Sequence, residues 1–350
     1  MLKTIALVGC GRISKRHVQV LEAIPELRLI AVCDLNESRA RETAEPLGIH
    51  YYLDALEMVT KEKPDIVSIL TDSGSHPALA SLLAPLVSVV VVEKPMALTL
   101  EDADLLIETC ENHGTRLFVV KQNRFNPPIQ QLKQAVDKGR FGKMVLGTAR
   151  IRWSRAQDYY DQASWRGTWK LDGGVLTNQA SHHIDLLQWL MGPVESVKSY
   201  ISTRLVDIEA EDTGVAVLKF KSGALGVIEA TTATRPRDLE GSISVLGEKG
   251  SVVVGGFSVN QMVTWNFSES APEDKDAILT IANPSNVYGF GHKPFYEDMM
   301  SSLNSGKRSM LDGLEGRKSL EIINALYESA FTGREVHLHY VPQSVPLGRG

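Results

Sequence analysis

The chain has 350 residues, enough for two domains with separate cores, and its 43% hydrophobic and 23% charged residues describe an ordinary globular protein. A net charge of −5 leaves no basic footprint for nucleic acid or an anionic membrane surface, and no apolar run is long enough to span a bilayer. The three cysteines, Cys10, Cys33 and Cys110, lack C-x-x-C spacing and read as buried thiols of a reducing compartment; an apolar strand opens the chain with no room for a signal peptide, so a cytoplasmic location is expected.

The first stretch, Thr4-Ile-Ala-Leu-Val-Gly-Cys-Gly-Arg-Ile-Ser14, reads as strand, glycine turn and helix, the arrangement that receives a dinucleotide pyrophosphate. Gly9 permits the tight turn and Gly11 the close approach of backbone to phosphate, with Arg12 and Ile13 leading into the helix. The third small position is Ser14 where the pattern prefers glycine. A second buried strand, Leu27–Cys33, ends at Asp34, where a carboxylate accepts from both ribose hydroxyls; with Leu35 next and no base before Arg39, NAD is expected over NADP.

Further along, helical patterns at Glu37–Leu47, Leu53–Glu62, Pro77–Leu86 and Thr99–His113 alternate with apolar strands at Lys63–Thr71, Val87–Val92 and Arg116–Val120. This alternation predicts an α/β domain over residues 1–125 with a doubly wound parallel sheet. Ligands on such a sheet sit beyond the carboxyl ends of the strands. Those ends and their turns supply Thr71, Ser73, Glu93-Lys94-Pro95 and Gln122 as candidate cofactor contacts.

From Asn126 the pattern changes. A helix over Ile129–Lys138 leads to strands from about Met144, then to Val197–Arg204, Gly214–Phe220, Ala224–Thr232 and Gly241–Gly247, with hairpin turns after Phe220 and Gly247. Helices are expected at Asn178–Met191, Lys293–Asn304 and Gly313–Ala330. Residues 126–350 thus read as an α+β domain with an open, largely antiparallel sheet, helices on one face and the other face left for a second copy: a homotetramer or a dimer.

Four stretches carry candidate chemistry. Lys94, at the end of a central strand, either hydrogen-bonds a substrate hydroxyl or is a solvated lysine. In Asn178–Met191, helical spacing puts Asn178, His182, Asp185 and Trp189 on one face. His182 is then an acid or base oriented by Asp185, or a core histidine; His183 points elsewhere. The irregular run Trp153–Trp169 offers Arg155, Tyr159, Trp165 and Arg166, beside Arg152, to an anionic or stacking ligand, or forms an interface flap. Arg235-Pro-Arg237 is an anion site or a solvated turn. No Cys/His cluster has zinc spacing, and no metal is expected; His337-Leu-His339 reads as an exposed strand face.

Together Gly9-Cys-Gly11, Glu93-Lys94-Pro95 and Gly173-Gly174-Val-Leu176…His182…Asp185 resemble the motifs of the glucose–fructose oxidoreductase / inositol dehydrogenase / MocA family, over essentially the whole chain. The resemblance implies an NAD-dependent dehydrogenase in which Lys94 and His182 serve catalysis. It also implies that Trp165-Arg166, Thr71 and His76 contact the cofactor side. Two positions depart from the motif: Asn178 stands where an aspartate is usual and Ala180 where a glycine is usual, so Lys94 and His182 carry more of the reading. Within the family, Lys121–Pro128 and Asp172–Trp189 are similar to the dehydrogenases of UDP-linked N-acetylglucosaminuronate, which oxidise the sugar C3 hydroxyl on the way to lipopolysaccharide sugars. That likeness implies a UDP-sugar substrate held by Asn178, Gln179, Arg152, Arg155, Tyr159, Arg235 and Arg237. A free-sugar or polyol dehydrogenase, or an NAD-sensing regulator without chemistry, are the rival readings.

Overall fold

The computed structural model describes residues 2–256, 258–276 and 289–349. The chain forms two compact units, Met1–Lys121 with His292–Arg317, and Gln122–Gly291 with Lys318–Gly350.

In the first unit, β1 (Lys3–Val8), β2 (Leu27–Cys33), β3 (His50–Tyr52), β4 (Ile66–Ile69), β5 (Val89–Val92) and β6 (Arg116–Val119) form a parallel sheet in the order β3-β2-β1-β4-β5-β6. The central strands are near-continuous apolar runs because both faces are covered, β4 and β5 being buried at every residue, while the edge strand β3 is largely exposed. Helices α1 (Ser14–Leu21), α2 (Glu37–Ala44), α3 (Ala55–Glu62), α4 (His76–Leu83) and α5 (Leu100–Asn112) connect them. Their starts are local in origin. Asn36, Asp54 and Thr99 cap α2, α3 and α5 by accepting from the N–H three residues on. The order of strands reverses between β1 and β4, so the glycine turn after β1 lies at the sheet's switch point.

In the second unit, α6 (Pro127–Asp137) precedes β7 (Met144–Arg152), and two short helices follow, α7 (Gln157–Asp161) and α8 (Ser181–Met191). Strands β8 (Val194–Ser202), β9 (Thr213–Phe220), β10 (Leu225–Thr231), β11 (Glu240–Gly247), β12 (Gly250–Gly255) and β13 (Gln261–Phe267) complete most of an eight-stranded sheet. The chain then returns to the first unit with α9 (His292–Ser305); α10 (Gly313–Thr332) begins there and ends in the second, before β14 (Val336–His337). A contiguous boundary near residue 125 has no place for that return. The sheet order is β13-β12-β11-β7-β10-β9-β8-β14. All its pairs are antiparallel except β7 with β10. The two hairpins after Phe220 and Gly247 are present as expected.

One face of this sheet is packed. Gly147 in β7 leaves room for Leu187 and Met191 of α8, and Ser199 of β8 bonds Leu326 and Ser329 of α10. The other face is polar and apolar in turn: along β9, Gly214, Ala216, Leu218 and Phe220 are buried while Val215, Val217 and Lys219 are exposed.

Candidate active site

The glycine turn is built for a close approach. Gly9 has φ +102°, and a Cβ there would lie 2.8 Å from the Leu70 carbonyl carbon, so only glycine fits. At Gly11 a Cβ would meet no protein atom within 4 Å. That space, at the start of α1, is where a pyrophosphate fits. Ile13 caps α1 without a side-chain hydrogen bond, and the Ser14 and Arg16 N–H groups turn back to Gly11 O and Ile13 O at 3.3 and 2.9 Å, which closes the first turn of the helix on itself. Ser14 explains its own departure from glycine: it is fully buried, and its hydroxyl donates to Gly11 O at 2.7 Å, closing the turn. Asp34 stands beside it, accepting from the N–H of Cys10 and of Asn36, each at 2.8 Å. These residues fit a dinucleotide, with Arg12 exposed at the mouth of the turn. Cys10 is buried, and burial raises its thiol to about 11, so it is an inert part of the turn.

The loops after β4 and β5 are fastened to each other. His76 is buried, with Nδ1 2.9 Å from Pro95 O and Nε2 3.1 Å from Thr71 O. Burial lowers its pKa, so the ring is neutral and has one N–H to donate between those carbonyls. Ser73 is buried, and the Thr71 hydroxyl accepts from Ser75 at 2.7 Å. Lys94 is partly exposed, next to a cis bond to Pro95. Glu93 points the other way, into the unit: it is 7% exposed and accepts from His17 Nε2 at 3.1 Å. Glu93 and His76 were expected among the cofactor contacts. The structure turns both inward, where they bond protein groups. Ligand atoms of His17, Glu93 and His292 lie within 4.8 Å of one another, a grouping that no sequence spacing announced.

In the second unit, α8 begins at Ser181, so Asn178 precedes the helix instead of sharing its face with His182. Its Nδ2 donates to Asp172 Oδ1 at 2.5 Å, which ties the two ends of the glycine loop together. His182 is half-buried, with Nε2 3.3 Å from Gln122 Nε2. Gln179 is buried. Asp185 was expected to orient His182, but both its oxygens are taken by Arg124, at 2.7 and 2.8 Å. Arg124 is fully buried, with its guanidinium over the Trp189 ring at 5.1 Å. Sequence reading missed it, because a basic residue between Asn123 and Phe125 carries no local mark of its partner. His183 is buried against Trp153, and burial pushes its pKa down to about 4, as fits a structural residue.

The candidate arginines divide. Arg152 lies across β10 and β11, bonding Glu229 at 2.6 and 2.8 Å and Glu240 at 3.3 Å. Its charge is thus already matched: the antiparallel neighbour places Glu240 opposite it in register, and Glu229 reaches it from the parallel neighbour, two residues off, opposite Arg150. Arg155 pairs with Asp238 at 3.2 Å, and Arg235 donates to the carbonyls of Thr232, Thr234 and Arg155. Arg166 stacks on Tyr159 at 4.2 Å and beside Trp165 at 5.5 Å. Arg237 is exposed and has no hydrogen bond or ion pair among the described residues.

Both halves match one family. Residues 3–121 match the model of the oxidoreductase family's NAD-binding Rossmann fold, and residues 133–338 that of the same family's C-terminal alpha/beta domain, Gfo/Idh/MocA. The chain belongs to this family. It is an NAD-dependent sugar or polyol dehydrogenase of the Gfo/Idh/MocA type. Among solved structures it is similar to the WlbA dehydrogenase of Chromobacterium violaceum, in complex with NADH and UDP-GlcNAcA, at 42% identity and TM-score 0.90 over 96% of each chain. It is equally similar to the Bordetella pertussis WlbA dehydrogenase in complex with the same two ligands, at 41% identity and TM-score 0.90 over 97% of this chain and 100% of that one. A more distant relative is the myo-inositol 2-dehydrogenase of Thermotoga maritima, 28% identical over 91% of this chain and 96% of its own. Among the described residues no helix is long and apolar enough to cross a membrane.

Proposed function

We propose that this dehydrogenase oxidises the C3 hydroxyl of UDP-N-acetyl-D-glucosaminuronate to the 3-keto sugar, with NAD as oxidant, within nucleotide-sugar synthesis for lipopolysaccharide. The observation that carries the reading is the likeness, at 41–42% identity over nearly whole chains, to dehydrogenases crystallised with NADH and UDP-GlcNAcA. Inositol and apiose dehydrogenases resemble the chain at 26–28% identity, which supports the family chemistry and less the substrate.

Bound NAD takes the hydride from the carbon that bears the reacting hydroxyl. Lys94 supplies the ammonium that hydrogen-bonds this hydroxyl, and His182 the imidazole that takes or returns its proton. Asn178 and Gln179, in the turn before α8, meet sugar hydroxyls. Asn178 cannot ionise, so the proton falls to Lys94 and His182. The diphosphate and the C6 carboxylate are anionic and need fixed cations. Arg237 remains for that role on the substrate side, whereas Arg152 and Arg155 already hold carboxylates and Arg235 donates to carbonyls.

The test is NADH formation with UDP-N-acetylglucosaminuronate, UDP-N-acetylglucosamine, myo-inositol and apiose in turn. A buried arginine–carboxylate contact is expected to favour the uronate over plain UDP-N-acetylglucosamine by roughly 2–4 kcal/mol in kcat/KM. Free polyols lack the whole nucleotide and are expected to react far more slowly. Faster turnover of inositol or apiose than of the UDP-uronate would replace this reading with the polyol dehydrogenase.

A further inference from the structure

Four elements of the first unit send five polar side chains, two of them from α9, to a single buried point behind Lys94. From the end of β5, Glu93 Oε2 accepts from the N–H of Lys94 itself at 3.0 Å, while Oε1 accepts from His17 Nε2 at 3.1 Å. His17 lies in α1, the helix that opens at the glycine turn, and is fully buried. Its Nδ1 is 2.7 Å from the hydroxyl of Tyr296 in α9, and that hydroxyl is 3.4 Å from Ser68 Oγ in β4. His292 Nε2 stands 3.8 Å from Glu93 Oε1, its ring edge-on to His17 at 5.3 Å.

The donors and acceptors fix a direction. Glu93 can only accept, so His17 Nε2 carries a proton toward it, while Nδ1 faces the Tyr296 hydroxyl, which lies within reach of Ser68 Oγ as well. Burial alone would raise the Glu93 carboxyl; the hydrogen bond from His17 and the nearby His292 ring outweigh it and hold it well below the usual carboxylate range. The result is a charged group that grips the Lys94 backbone from behind and is itself gripped by the cofactor helix.

We propose that His17 is a positioning residue for Lys94: acting through Glu93, it fixes the turn on which Lys94 stands relative to the helix that receives the pyrophosphate. This rests on Lys94 acting at the reacting hydroxyl. A misplacement of about 1 Å at a catalytic group costs on the order of a hundredfold in rate, so loss of the His17 donor should appear in kcat. His17→Leu removes the donor, whereas His17→Gln returns an N–H at the place of Nε2.

His17→Leu is expected to lower kcat roughly 10–100-fold, with the Kd for NAD changed by less than about 3-fold, and His17→Gln to recover most of that loss. Tyr296→Phe, which keeps the packing and removes the hydroxyl beside His17 Nδ1, should lower kcat by a smaller factor and serves if His17→Leu fails to fold. The deciding experiment is a cycle with Lys94→Met. If His17 acts through Lys94, adding His17→Leu to Lys94→Met costs no further turnover. Equal loss from His17→Leu in both backgrounds, or wild-type kcat in His17→Leu, would overturn the proposal. So would stoichiometric zinc or another transition metal in the purified protein, which would make His17, Glu93 and His292 ligands. Full activity in Lys94→Met alone would instead remove the assigned role of Lys94, a failure separate from that of His17.

Discussion

At the scale of single residues, Glu211 is a carboxyl group enclosed by the second unit. Its Oε1 accepts from the Leu176 N–H and the Tyr327 hydroxyl, both at 2.9 Å, and burial pushes its pKa from 4.5 up to about 7. Such a shift means that the native state holds the proton more tightly than the unfolded chain. Its contribution to stability is complete below about 4.5 and is lost as pH rises through about 7, a change of roughly 3 kcal/mol. His183 works in the opposite sense, since its contribution is lost as pH falls from 6.5 through about 4. Glu211→Gln separates the two: in unfolding at fixed temperature, the variant should gain on wild type by about 3 kcal/mol between acid and mildly alkaline pH. A difference that does not move with pH would contradict a protonated Glu211. The proposed roles of Lys94 and His182 make a second prediction. Lys94→Met and His182→Asn should each lose turnover by on the order of 10²–10⁴-fold while NAD titrates nearly as in wild type. Near-normal turnover in either would remove that residue from the chemistry.

Helix α8 shows at the scale of elements what the sequence could and could not disclose. Its apolar spacing and the glycines before it were legible, because both are local. Its first turn was not: Asn178 bonds Asp172 instead of entering the helix. The partner of Asp185 was equally hidden, since Arg124 lies 61 residues away and reaches it only in the fold. The same holds for Glu93 and His17, 76 residues apart. A strand end tells that a residue is near a ligand edge, not to which side its side chain turns. The glycine turn after β1 and both hairpins were legible for the converse reason, their turns being marked by their own few residues. The Arg124–Asp185 pair predicts a cost. Arg124→Met leaves a carboxylate in a site with 6% exposure, and unfolding should become easier by roughly 3–5 kcal/mol. A loss under about 1 kcal/mol would show that the pair is not what anchors α8.

For the whole molecule, the alternation of strands and helices disclosed the parallel sheet and the later hairpins the mixed one, whereas the return of His292–Arg317 to the first unit has no local signature. The unpacked face of the large sheet carries Val215, Val217, Leu225 and Tyr200, all exposed, beside the matched charges of Arg150, Arg152, Glu229 and Glu240. We propose that a second copy covers it, giving a dimer or tetramer. Light scattering should then find no monomer at working concentration, and Val217→Arg should weaken the assembly; a monomeric wild type would refute it.

The central claim is that hydride leaves C3 of a UDP-linked uronate. The most direct measurement uses UDP-N-acetylglucosaminuronate carrying deuterium at C3, mixed with NAD and enzyme in a single turnover. Deuterium is expected in the reduced nicotinamide, with a slower turnover than for the unlabelled sugar. Reduced cofactor free of deuterium, or none formed at all, would contradict it.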